Sequence, residues 1–125
     1  MVFRYNTTIQ PPAAFVQVTL LDPITGLSAQ KPGKLDTGAS ITVLPESVVT
    51  TLRLKAVSEG FVTGFDSKGS LRPLYYIAME IAGHSIPLVE VTSAERSDVL
   101  LGRDVLNQFI LTLDGKALTF DLCDP

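Results

Sequence analysis

Residues 34–45, Lys-Leu-Asp-Thr-Gly-Ala-Ser-Ile-Thr-Val-Leu-Pro, constrain this chain more than any other stretch. A carboxylate, a small hydroxyl and a glycine in a row at Asp36-Thr37-Gly38 make a loop, because Gly38 reaches backbone angles closed to other residues. Leu35 before the loop is apolar, and Ile41, Val43 and Leu44 after it return to a core. Asp36 is therefore expected to stand exposed at the end of a strand. Taken alone, the triplet also fits an ordinary turn closed by an Asx-type bond. A second, independent feature is needed to raise it above that.

Residues 99–106, Val-Leu-Leu-Gly-Arg-Asp-Val-Leu, supply one: a buried strand running through Gly102 into a short helix. By itself Gly102-Arg103-Asp104 is a helix start capped near Asp104. Between the two motifs the chain is built from short strands. Ala14 to Leu21 alternates, with Val16, Val18 and Leu20 on one face and Gln17 and Thr19 on the other. Asp22 to Gly26 is a turn with Leu27 to Gln30 as its hairpin partner, and Pro32-Gly33 punctuates before the strand carrying Leu35. Pro45 suits the first position of a short helix over 45–52. Glycines at 60, 64 and 69 bracket a strand, Phe61 to Thr63, and a polar tip, residues 65–68; a long strand, Leu71 to Ile81, follows. Together they predict a projecting hairpin arm. Gly83-His84 turns the chain into Ile86 to Val91, and 93–98 is a polar loop. The helix is expected over Asp104 to Phe109. A closing hairpin, Ile110–Leu113 and Ala117–Leu122, turns at Asp114-Gly115. Residues 1–12 are an extended arm stiffened by Pro11-Pro12. Many strands against one or two short helices predict an all-β, closed barrel-like domain over 1–125.

Composition narrows the chemistry by exclusion. The chain is 46% hydrophobic and 18% charged, yet no run is long enough to span a membrane. Excess apolar content of that kind points to surface covered by another subunit. Met1 to Tyr5 lacks the apolar core of a signal peptide. A net charge of −3 with no basic cluster argues against nucleic acid. One cysteine, Cys123, rules out an internal disulfide and fits a reducing, cytoplasmic compartment. With one cysteine and a single histidine, His84, at an expected surface turn, neither a zinc site nor a Cys/His pair has enough members. Carboxylates are left as the chemical groups, with no cofactor and no metal.

Asp36-Thr37-Gly38-Ala39, taken with Val99 to Leu106 and the hairpin Met79 to His84, resembles the retropepsin-like aspartic proteases, the family of the retroviral proteases and their single-domain cellular relatives. The order and spacing of the motifs fit nearly the whole chain. The resemblance implies an all-β barrel-like fold with a flap hairpin and one short C-terminal helix. It also implies an aspartic endopeptidase in which two carboxylates share a proton. The chain holds one Asp-Thr-Gly, so the second Asp36 would come from a second copy, making a homodimer on a two-fold axis. By the same resemblance Thr37 would bond across the dimer and Gly38 would let backbone approach the carboxylate. Arg103 would brace the loop from behind. The N- and C-terminal segments would supply dimer contacts.

The substrate implied is a polypeptide bound in extended form. Val62, Ile77 and Leu100 are expected as pocket walls, with Phe65 on the flap tip covering the peptide. Two departures from the retroviral pattern stand out. Ser40 replaces an acidic residue that pairs with the arginine, so a hydrogen bond is expected in place of the ion pair. Lys34 replaces an apolar residue; it either looks into the groove, pairing with Asp98 or favouring acidic or polar side chains, or turns to solvent. These departures sustain an alternative: an inactive module of the same fold that dimerises or binds peptides without cutting them.

Overall fold

Alternating side chains set the first long strand, and the remaining strands close a barrel around it. A computed structural model of the chain describes residues 2–63 and 69–123. In β2 (Phe15–Leu21), Val16, Val18 and Leu20 are buried while Gln17 is exposed. β2 pairs antiparallel with β3 (Ser28–Leu35), across a turn in which the Asp22 carboxylate accepts the Ile24 N–H and the Thr25 hydroxyl. β3 runs parallel to β8 (Val99–Leu101), and β8 meets β4 (Val43–Pro45) at Leu100 and Val43. β4 lies parallel to β7 (His84–Ala94), which pairs antiparallel with β6 (Gly69–Ile81). β6 returns to β2 through Val18–Leu21 and closes a six-strand barrel. Closure leaves every strand of the wall with a neighbour on each side, although β8 covers only the last three residues of β3. Inside it lie Val18, Leu20, Ile77, Met79, Val91, Val99 and Leu101, all within 1% of full burial.

Beyond the wall, β5 (Ser58–Thr63) pairs only with the first half of β6 and makes the expected hairpin arm. The polar tip at 65–68, including Phe65, lies outside the described residues. The root of the arm is tied to β7: the Thr92 hydroxyl donates to the Pro73 carbonyl at 2.9 Å, and Arg72 Nη1 donates to the Ser93 carbonyl at 3.3 Å. A second sheet, β1 (Val2–Arg4), β10 (Thr119–Cys123) and β9 (Ile110–Asp114), joins the two ends of the chain. Phe120 anchors it, stacked on Phe3 at 5.1 Å and buried in the barrel's core cluster. No helix among the described residues is long and apolar enough to cross a membrane.

Several local expectations are corrected. Pro32-Gly33 does not interrupt the chain, because β3 is continuous from Ser28 to Leu35. β8 reaches only Gly33 to Leu35, so Pro32 sits where that edge of β3 carries no ladder and its missing N–H is harmless. Gly33 is there for room: a Cβ would lie 2.6 Å from Val18 Cγ2 and 3.0 Å from Leu101 Cδ1. The first residues are extended as expected, but they are tied down: β1 pairs with β10, and Asn6 bridges to Ala13. The helix α1 (Glu46–Thr51) has Pro45 at its N-cap rather than in its first turn. β7 extends to Ala94, shortening the polar loop, because Thr92 to Ala94 pair with β4. The helix α2 (Arg103–Leu106) is shorter than expected; past it, Gln108 and Phe109 donate to carbonyls three residues back, which tightens the turn and ends the helix. Asp114-Gly115 opens a four-residue connection, 115–118, pinned by the Ala117 N–H on Asp114 Oδ1, so β10 starts only at Thr119.

Gly33→Ala is expected to cost about 1–3 kcal/mol of stability, because neither the β-branched Val18 nor Leu101 can yield freely inside a closed wall. The midpoint of urea unfolding, compared with the parent, measures it.

Candidate active site

The site is built where two parallel strand ends lie side by side. Leu35 is in register with Leu101, and the Asp36 N–H donates to the Leu101 carbonyl at 3.0 Å. That bond fixes the Asp36 backbone at the mouth of the barrel. Asp36 Oδ1 accepts the Gly38 N–H at 2.9 Å, the Asx-type bond expected of such a turn. Asp36 Oδ2 has no hydrogen bond from any described residue. The Ala39 N–H closes the loop on the Asp36 carbonyl at 3.2 Å. Asp36 is half-buried; Thr37 and Gly38 are exposed.

Arg103 braces this loop by two routes. Its Nη1 donates to the Thr37 carbonyl at 2.9 Å, and its backbone N–H donates to the Ala39 carbonyl at 2.8 Å. With Ser40 in place of an acid, a backbone carbonyl receives the guanidinium. Behind the brace lies a network that the sequence did not disclose. The Thr42 hydroxyl donates to Asp104 Oδ1 at 2.7 Å and accepts the Gly102 N–H at 3.1 Å, while the Thr42 N–H donates to Asp104 Oδ2 at 3.0 Å. Asp104 therefore serves the loop rather than a helix cap; the N-cap is Gly102, with no side-chain cap bond. A threonine inside the apolar run Ile41-Thr42-Val43-Leu44 was the available signal, since a buried hydroxyl needs a partner.

The other expected site residues divide. Leu100 is half-buried on the wall beside Lys34, its register partner. Lys34 is exposed, and the Asp98 carboxylate is held by Arg96 at 2.6 Å instead of by Lys34. Val62 lines a cavity of about 310 Å³ together with Ser40 and Ile41 of the Asp36 loop. Ile77 is a correction: it has no exposed surface and belongs to the barrel core, so it walls no pocket. Phe65 lies outside the described residues. His84 packs edge-on against Phe109 at 5.6 Å, so it is a packing residue as well as a turn residue. No group of three or more potential metal ligands occurs among the described residues.

Thr42→Val keeps the shape but leaves Asp104 and the Gly102 N–H without the hydroxyl. The expected cost is about 2 kcal/mol, the range for hydrogen bonds to a charged group. Thr42→Ser is expected to recover most of it. Chemical denaturation of the three proteins checks both statements.

No protein-family model matches the chain, and no curated protein matches it by sequence. Solved structures do. A retropepsin-like aspartic protease from Rickettsia conorii superposes with a TM-score of 0.66 at 16% identity, over 98% of this chain and 88% of that one. The retroviral protease-like domain of Ddi1 from Leishmania major gives a TM-score of 0.54 at 14% identity, over 88% and 87%. EIAV protease, complexed with the inhibitor HBY-793, gives 0.52 at 21% identity, over 78% and 88%. A foamy viral protease-reverse transcriptase also matches, at a TM-score of 0.58 and 20% identity; the chain spans only 13% of its length. At such identities the likeness is one of fold. The closed six-strand barrel agrees with it, and the chain has the retropepsin-like fold.

Proposed function

We propose that the protein is a homodimeric aspartic endopeptidase that cleaves extended polypeptides. The observation that carries this is the setting of Asp36. Its backbone is clamped between two strand ends, one carboxylate oxygen is fixed by the Gly38 N–H, and the other is left for a water or a second carboxylate. Two such carboxylates about 3 Å apart cannot both ionise, so one keeps a proton to polarise the scissile carbonyl while the other takes a proton from the attacking water. The chain supplies one Asp36, and its partner copy supplies the other.

In this reading Thr37 is exposed so that its hydroxyl meets the partner's loop, and Arg103 keeps the loop from collapsing into the space the substrate takes. The hairpin arm of β5 and β6 is the flap, covering a peptide that runs between it and the Asp36 loop. Val62 and Leu100 contact substrate side chains, and Lys34 and Asp98 stand at the edge of the groove. The sheet of β1, β10 and β9 provides the dimer surface, with Val2, Ile110 and Leu113 each more than half exposed on it. A single cysteine suits the cytoplasm.

Peptide-library cleavage by the protein and by Asp36→Ala, from acid to neutral pH, tests the proposal. Cleavage is expected to fall by about a thousandfold or more in the variant, within the range for removal of an acid–base group. Sedimentation is expected to show a dimer at micromolar concentration. Equal cleavage by both proteins overturns the assignment of Asp36. A dimer that binds peptides without cutting them points to the module without turnover.

A further inference from the structure

Among the described residues that line the cavity beside the Asp36 loop, one is ionisable, the exposed Glu90 of β7. Its neighbours Val89 and Val91 are buried inside the barrel, so Glu90 projects from the opposite face of β7, towards the arm. Ile41, Val62 and Leu74 line the same space, and Gly60 keeps it open on the arm side: a Cβ there would lie 2.7 Å from Leu74 Cδ1. Glu90 makes no ion pair or hydrogen bond with any described residue. Among the described residues, Arg72 is engaged with Ser70 and the Ser93 carbonyl, Arg96 with Asp98, and Arg103 with the Thr37 carbonyl, not with Glu90.

We propose that Glu90 is a specificity-determining residue that selects a lysine or arginine side chain of the substrate. This deepens the reading of the protein as an aspartic endopeptidase and rests on it for the position of the peptide. The chemistry follows from the lining. A basic side chain is an aliphatic stem with a charged head. Ile41, Val62 and Leu74 cover the stem, and the Glu90 carboxylate takes the head as a charge-assisted hydrogen bond. An aliphatic side chain of similar length would bury its stem equally well but leave the carboxylate facing apolar carbon, losing the water that hydrates it. An acidic side chain would meet like charge.

Geometry also limits which substrate position is read. Ser40, on the cavity wall, is four residues from Asp36, so the cavity is within about 14 Å of the catalytic carboxylate along the chain. An extended peptide advances about 3.3 Å per residue. The selected residue therefore lies within about four positions of the scissile bond, on the side of the peptide that faces β7.

The test profiles the protein, Glu90→Gln and Glu90→Lys on a peptide series carrying Lys, Arg, Leu or Glu at each of those positions, by cleavage and by fluorescence-anisotropy binding. At one position the parent is expected to prefer Lys and Arg over Leu about fivefold, the size of an ion pair at a partly exposed site. Glu90→Gln is expected to bring that ratio close to one, and Glu90→Lys to turn it towards Glu. Ratios unchanged across the three proteins, in cleavage or in binding, overturn the proposal and leave the endopeptidase standing. A Glu90-dependent preference seen in binding with no Asp36-dependent cleavage keeps the selection of basic residues and overturns the enzyme reading. Absence of any basic preference in the parent's binding overturns the role of Glu90 outright.

Discussion

Gly102 lies against the backbone of Ile41 so closely that a Cβ would come within 2.8 Å of its carbonyl carbon and oxygen. Main chain cannot move aside as a flexible side chain can, so only glycine allows the two segments to touch. Their contact decides where the rest of the site falls. It brings the Thr42 hydroxyl within reach of the Gly102 N–H, places Asp104 beneath both, and delivers Arg103 to the carbonyls of Thr37 and Ala39. Thr42 is fully buried, and the groups around it are satisfied by one another. A polar cluster satisfied in this way favours one arrangement, because any displaced member would leave a buried partner exposed to the full cost of desolvation. The Asp36 carboxylate borrows its position from this cluster without belonging to it.

The fold and the centre of the candidate site were legible in the sequence for different reasons. β2 could be read because one of its faces is buried and the other wet, which gives Val16, Val18 and Leu20 a two-residue period. Asp36 and Gly102 were found because turns at the ends of strands demand particular residue types. What failed to show was set by register and by distant partners. Ile77 was misplaced because β6 changes role along its length: residues 70–73 on the arm are exposed, whereas Tyr75, Ile77, Met79 and Ile81 face the barrel interior. Pro32-Gly33 suggests a break in the chain, but the empty edge beside Pro32 and the close approach of Val18 to Gly33 exist only once the barrel closes. Thr42 and Asp104 are 62 residues apart in sequence, and neither carries a local sign of the other. Glu90 resembles any solvated glutamate of a strand until the fold sets it on one cavity with Gly60 and Val62 of the arm.

The length of β6 has a mechanical consequence. One continuous strand forms a wall of the barrel at one end and a side of the arm at the other, so the arm has no separate stem on that side. Its root is also stitched to β7, by Thr92 on the Pro73 carbonyl, and the Thr92 N–H in turn donates to the Thr42 carbonyl at 3.2 Å. The base of the arm and the anchor of the Asp36 loop are thus parts of a single hydrogen-bonded frame. A swing of the arm would begin tipward of Arg72, as a cantilever bends beyond its clamp, and would leave the carboxylate registered to the fixed end.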